Sequence, residues 1–265
     1  MALPVLIAAV DMGPHTARVL YHAAAFASVL DLELKVLHVG VDASVAAHER
    51  LLNDCLRLAP YQLNLEAADV VIRTGRVSDA IAREAHREAA TLVVMGARGH
   101  GAVASLLLGS TSDAVLRGAS TPVLLVPPTD IDIVSVGDRA ALTCGPVLAA
   151  IDLAEHCSEQ LRTASLLAHI SSQPLLLMTV AKSRLTDHQA GLMLQQRAHR
   201  LEPRRPAAVI VRRGSVAQEI ARCAQDEGAG LVVMGLHASP RCRPGTIVSA
   251  VLKAGNAFVL AVPGC

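Results

Sequence analysis

The sequence predicts an α/β protein made of two tandem, open, doubly wound five-stranded parallel-sheet domains. Three observations carry that expectation. Short β-branched or leucine-rich runs alternate with amphipathic stretches along the chain, the pattern of a parallel sheet covered by helices on both faces. The second half repeats the first at a spacing of roughly 140 residues, too long for a solenoid unit and right for a whole domain used twice. Of the 265 residues, 52% are apolar and 18% charged, enough material for more than one core.

In the first half the expected strands cover residues 4–10, 34–39, 69–73, 91–96 and 122–127, each a run of Val, Leu or Ile bounded by turn-forming residues. Helices are expected over Thr16 to Leu30, Ala43 to Leu58, Ser78 to Glu88 and Ser112 to Arg117. Within Thr16 to Leu30, the residues Val19, Leu20, Ala23, Phe26, Ala27 and Leu30 recur at helical spacing and form one buried face. The second half gives the same order, with strands near 146–151, 175–180, 208–212, 230–235 and 257–262. The repeat is most direct where Val71 to Gly96 aligns without gaps on Ile210 to Gly235, with 14 of 26 positions identical. Leu37-His38-Val39 is echoed by Met178-Thr179-Val180, and Asp11 by Asp152. Pro128 to Gly145, rich in Pro, Thr, Asp, Ser and Gly, reads as the linker, so the domains are expected at 1–135 and 136–265.

Composition narrows the partners. Two Phe, two Tyr and no Trp leave the cores to Ala, Val, Leu and Ile and give little aromatic surface on which bases could stack. A formal charge of +1, with no basic run longer than Arg204-Arg205 or Arg212-Arg213, supplies no phosphate-tracking surface, so nucleic acid is not an expected partner. The six cysteines at 55, 144, 157, 223, 242 and 265 lie far apart, without C-x-x-C or zinc-finger spacing, and read as mostly buried thiols of a reducing compartment. His156-Cys157 and Cys242 could assemble a metal site in space, but their sequence spacing does not point to one, and no metal site is expected. Val5 to Val10 is followed at once by Asp11 with no basic segment ahead of it, and no apolar run approaches the roughly 20 residues that span a bilayer. The expectation is a cytoplasmic protein with no membrane partner.

The candidate site follows from strand ends. In open α/β sheets ligands sit beyond the carboxyl ends of the strands, where the connections diverge. Asp11 ends the first strand, Val39 the second and Gly96 the fourth. A carboxylate there can accept ribose hydroxyls, and backbone beside an apolar Val39 can pair with an adenine edge. From Gly96 the chain enters a loop in which Gly96, Gly99 and Gly109-Ser110 are separated by two and then nine residues. Glycines there let the backbone turn tightly and approach a ligand. Gly109, Ser110 and Thr111 then open a helix whose N–H groups and positive dipole end suit an anion. Arg98 and His100 stand inside the loop where phosphate charge would lie. Asp11 and Thr16 are also good helix caps, Ser110-Thr111 could simply cap its helix, and His38 reads more readily as a packed strand histidine than as a ligand.

With these residues in view, the first half resembles the nucleotide-binding subgroup of the universal stress protein family. The motif of that subgroup, Gly, two residues, Gly, nine residues, Gly and then Ser or Thr, stands here as Gly96-Ala-Arg-Gly99, His100 to Leu108, Gly109-Ser110. The flanking Leu92-Val93-Val94-Met95, Asp113 to Arg117 and Pro122 to Val126 are similar to it as well. The resemblance implies a strand order of 3-2-1-4-5 and pairing of the last strands, around Val123 and Val259, into an internal pseudo-dimer. It implies that Asp11 and Val39 hold ribose and adenine, that Gly96, Arg98 and Gly99 line the site, and that Gly109, Ser110 and Thr111 bind phosphates. The implied ligand is ATP, with any accompanying Mg²⁺ held mainly by the phosphates, and the implied role is stress-response regulation, with further homodimerisation compatible with the architecture.

The second half departs from that pattern. Gly235-Leu-His-Ala238 lacks the second glycine, and only the six residues Ser239 to Pro244 separate Ala238 from Gly245-Thr246. Pro240 and Pro244 fix φ and remove two N–H donors, and Ile247 stands where the first half has Thr111. The expectation is one nucleotide site per chain, in the first half. No Gly-Lys-Ser/Thr occurs and the lysines are only 35, 182 and 253, so a Walker loop is absent. Gly99-x-Gly101-x-x-Ala104 follows a fourth strand rather than a first, which argues against a dinucleotide fingerprint. No carboxylate pair is placed to position an attacking water. A dedicated catalyst is therefore not expected, although slow ATP hydrolysis stays open, as does a different class of function, a sensor or scaffold for a metabolite or protein.

Overall fold

The computed structural model describes residues 3–40, 45–57, 69–98, 108–136, 139–182, 184–199, 208–236, 244–255 and 257–264. Gly99 lies outside the described residues. The chain forms two compact units, one comprising Met1–Asp130 with Val134–Leu142 and the other Ile131–Ile133 with Thr143–Cys265.

In the first unit the order is β1 (Val5–Val10), α1 (Thr16–Leu30), β2 (Glu33–Gly40), α2 (Val45–Arg57), β3 (Val70–Thr74), α3 (Val77–Arg87), β4 (Leu92–Gly96), α4 (Ser110–Gly118) and β5 (Val123–Val126). The strands are all parallel in the order β3-β2-β1-β4-β5. Every residue of β1 is buried, as its unbroken apolar run requires of a central strand covered on both faces. Register runs from Leu6 opposite Leu34 on one side to Leu6 opposite Leu92 on the other. The chain therefore builds outward from β1 through β2 and β3, then returns to start again at β4. The β1/β4 boundary is the point where the connections diverge.

Helix α1 buries Val19, Leu20, Ala23, Phe26 and Ala27, the face its spacing predicts, while Leu30 is only half-buried. It also buries His22, Ala24 and Ala25. The reason is a short antiparallel hairpin, β6 (Val134–Val136) and β7 (Ala140–Leu142), which packs against α1. The Tyr21 hydroxyl donates to the Val134 carbonyl at 3.4 Å. The segment that reads as a linker thus contains ordered structure, because Val134 and Leu142 find an apolar helix to cover.

The second unit repeats the plan with β8 (Val147–Ala150), α5 (Ser158–Ile170), β9 (Leu175–Val180), α6 (Asp187–His199), β10 (Ala208–Arg212), α7 (Val216–Asp226), β11 (Leu231–Leu236), α8 (Pro244–Gly255) and β12 (Phe258–Pro263). Its strands are parallel in the order β10-β9-β8-β11-β12, the topological equivalent of the first unit. Leu148, Leu177 and Phe258 are among its fully buried side chains, and aliphatic residues make up most of both cores.

Two polar features bear on stability. In the first unit Lys35 on β2 donates to Glu88, just past α3, at 2.6 Å. That hydrogen bond holds the Glu88 carboxyl below its usual range and raises the Lys35 ammonium above its own. Cys55, Cys144, Cys157 and Cys223 are buried free thiols. Burial pushes Cys55 up to about 11 and raises Cys144 and Cys223 as well, so these three stay protonated and chemically quiet.

Candidate functional site

A cleft of about 200 Å³ opens at the carboxyl ends of β1, β2 and β4 in the first unit. Three local features build it. First, β1 ends in register with β2 at Val10 opposite His38, so β2 runs on past its end and Val39 borders the cleft. Second, Gly96 ends β4 in a turn so close that a Cβ would lie 2.8 Å from the Arg98 carbonyl oxygen, which makes any larger residue incompatible with this path. Third, the Ser112 hydroxyl donates to the Gly96 carbonyl at 2.9 Å and the Gly109 N–H donates to the Ala97 carbonyl at 2.8 Å. Those two bonds fasten the start of α4 to the exit of β4 and hold its first turn against the cleft.

Asp11, Val39, Gly96, Arg98 and Thr111, which lie up to a hundred residues apart in sequence, all line this one cleft. Gly109 caps α4 with extended backbone (φ −69°, ψ 154°), and Ser110 is the first helical residue beside it. The helix thus starts two residues earlier than its sequence pattern predicts, placing Ser110 and Thr111 in the first turn, where N–H groups lack intrahelical partners. Asp113, also in that turn, is ion-paired with Arg117 at 2.7 Å, which offsets its negative charge near the anion-favouring end.

Asp11 does not cap α1. The capping position is His15, with no side-chain hydrogen bond, and the exposed Asp11 carboxylate instead accepts the Gly13 N–H at 2.9 Å in a tight turn whose Met12 has φ +64°. Thr16 is likewise not a cap but the first residue inside α1, buried and lining the cleft. His38 also lines it, half-exposed. Its Nδ1 must carry a proton, since it donates to the Val10 carbonyl at 2.9 Å. Val77, 37% exposed at the start of α3, adds apolar lining to the cleft. Sequence reasoning passed over Thr16, His38, Val77 and Ser112 as site residues. A hydroxyl spaced two positions beyond the Gly-Ser pair was a usable signal for Ser112. For Val77 there was none, since a helix-start valine is ordinary. The cleft therefore has an apolar side suited to a flat ring, a carboxylate at its rim, and a helix N-terminus with Arg98 for an anion.

The second unit treats the corresponding place differently. Asp152, at the end of β8, accepts the Ala154 N–H at 2.9 Å just as Asp11 accepts that of Gly13. Its carboxylate also lies 3.4 Å from the Lys182 ammonium. Counting on from the two aspartates, Thr16 corresponds to Cys157 and Val19 to Gln160. Gln160 is buried, and its amide donates to the carbonyls of Ala150 at 2.7 Å and Val233 at 3.0 Å, bridging the end of β8 and the middle of β11. Arg197, from α6, reaches the carbonyls of Asp152, Leu153 and Glu155 and the sulfur of Cys157 at 2.6 to 3.2 Å. Pro244 is itself the first residue of α8, so Gly245 lies inside the helix instead of capping it.

Among the described residues no group of three or more His, Cys, Asp or Glu side chains could hold a metal ion. No helix among them is long and apolar enough to cross a membrane.

Residues 4–127 match the Universal stress protein family. A universal stress protein of Thermus aquaticus is 52% identical over 58 residues, covering 22% of this chain and 42% of the relative. Another, from Synechocystis, is 32% identical over 110 residues, covering 40% of this chain and 37% of its own length. The matched segments thus span about two fifths of these curated relatives. A universal stress protein from Archaeoglobus fulgidus superposes with a TM-score of 0.70 at 18% identity over 98% of both chains, a likeness of fold.

Proposed function

We propose that the first-unit cleft binds an adenine nucleotide, ATP in the first instance, and that its occupancy regulates the protein in a stress response. The observation that carries this reading is the convergence on one cleft of Asp11, Val39, Gly96, Arg98 and Thr111, drawn from three strand ends and a helix N-terminus. Val39 and Val77 form the wall for the base, Asp11 accepts the ribose hydroxyls, and the first turn of α4 with Gly109, Ser110 and Thr111 receives the phosphates, assisted by Arg98. Gly99 belongs to the same set by its spacing. The donors present fit a phosphate ester: neutral N–H groups, hydroxyls and one guanidinium, around a glycine where backbone must come close. Any Mg²⁺ would be held by the phosphates, and the second unit takes no nucleotide. Calorimetric titration with ATP tests the reading. It expects one site per chain; two equivalent sites would remove the asymmetry, and no binding of any adenine nucleotide would remove the assignment.

A further inference from the structure

Among the described residues lining the cleft, Thr16 carries a hydroxyl for which the protein itself provides no match. Its residue is only 4% exposed, and its hydroxyl oxygen is buried without a hydrogen-bond partner. A buried hydroxyl left unsatisfied is unfavourable, so such a group calls for a reason. Three observations fix where that reason lies. Thr16 lines the cleft as the first residue of the fifteen-residue α1, at the positive end of the helix. Val19, one turn further on, lies on the same helix face and has its Cγ2 only 3.7 Å from where a Gly96 Cβ would be. Thr16 therefore stands on the β4 side of the cleft, towards Gly96, and not over the β2 end where Val39 lies. In the second unit its counterpart Cys157 is met at 3.2 Å by the Arg197 guanidinium, so that copy satisfies the position internally.

We infer that the Thr16 hydroxyl is a specificity-determining contact that donates a hydrogen bond to a phosphate oxygen of the bound nucleotide, opposite the first turn of α4. The inference rests on the nucleotide reading of the cleft. The two χ1 wells open to a helical threonine let Oγ1 turn towards a bound group, and the positive end of α1 favours an anionic acceptor over a neutral one. The phosphate is then held between two helix N-termini, α1 with Thr16 on one side and α4 with Thr111 on the other. The contact distinguishes a nucleotide from its nucleoside.

Thr16→Val, which keeps the shape and removes the hydroxyl, and Thr16→Ser, which keeps the hydroxyl, test this by calorimetry with ATP, AMP and adenosine. Thr16→Val should weaken ATP and AMP about tenfold, as expected for a hydrogen bond to a charged group, and leave adenosine unchanged. Thr16→Ser should retain wild-type affinity for all three. Without ligand, Thr16→Val should melt no lower than wild type, because it removes a group that has no partner to lose. Equal phosphate-ligand affinities in wild type and Thr16→Val would overturn the inference. An equal loss for adenosine, or a lower melting temperature of the free variant, would overturn it too, by assigning the hydroxyl to the sugar or to the fold. Failure of wild type to bind any of the three would instead overturn the nucleotide reading and take this contact with it.

Discussion

The two units share one topology, yet the corresponding clefts treat the same backbone differently. In the first, the Asp11 carboxylate accepts the Gly13 N–H, Val19 lies beside Gly96, and the Thr16 hydroxyl is unmatched. In the second, Lys182 stands by Asp152, Gln160 bridges β8 and β11, and Arg197 gathers three loop carbonyls and the Cys157 sulfur. One cleft leaves the buried Thr16 hydroxyl unmatched, and the other meets the equivalent position from within the chain. Arg197 and Gln160 supply from within the chain the kind of contact that a ligand supplies from outside. The fold survives the exchange because it is decided by the sheet cores, whereas binding is decided by a few loop and cap positions.

Paired substitutions can break or sharpen that contrast. The largest effect is expected from Thr111→Glu, which places a carboxylate in the first turn of α4 where phosphate charge would sit. ATP affinity should fall on the order of a hundredfold, equivalent to roughly 2.7 kcal/mol, while helix stability holds because the charge suits the N-terminal dipole. The matching Ile247→Glu in α8 should leave ATP affinity unchanged. Calorimetry of both variants measures this, and equal losses would mean that both clefts bind.

Arg197→Ala addresses the second cleft. It strips donors from three part-buried or exposed carbonyls, so urea unfolding should show a loss of about 1 kcal/mol, with ATP affinity at its wild-type value. A loss of nucleotide affinity instead would place the ligand in the wrong unit.

The smallest effect concerns the Lys35–Glu88 bond, which the second unit lacks, since Leu176 corresponds to Lys35. Glu88 has its folded value depressed, so its contribution is present above its ordinary 4.5 and disappears as pH falls through the lower folded value. Lys35 has its value raised, so its contribution is complete below its ordinary 10.5 and disappears as pH rises through the higher folded value. Both partners are partly exposed, so Glu88→Gln should cost only a few tenths of a kcal/mol at neutral pH and flatten the acid limb of stability against pH. Urea midpoints for the variant and wild type across that range check the sign.

Much of the architecture was legible because it depends on local pattern. The apolar run Val5–Val10, the helical spacing of Val19 through Ala27 and the repeat joining Val71–Gly96 to Ile210–Gly235 each state a period or an identity that needs no knowledge of neighbours. The β6–β7 hairpin escaped because two three-residue strands carry too little periodicity; what makes them strands is α1, a distant partner in sequence. At the site, strand ends and glycine spacing pointed to Asp11, Val39, Gly96, Arg98 and Thr111. They could not reveal that Thr16 lies inside the helix instead of capping it.

Two doubly wound sheets, one glycine-spaced loop and a shortened copy of that loop follow from residue order and short-range sterics. Which polar groups find partners depends on the folded arrangement. Arg197 lies some forty residues from the carbonyls it collects, and Thr16 is defined by the partner it lacks. Hydrogen-bond satisfaction is a property of positions in space, so a chain read in one dimension cannot balance it.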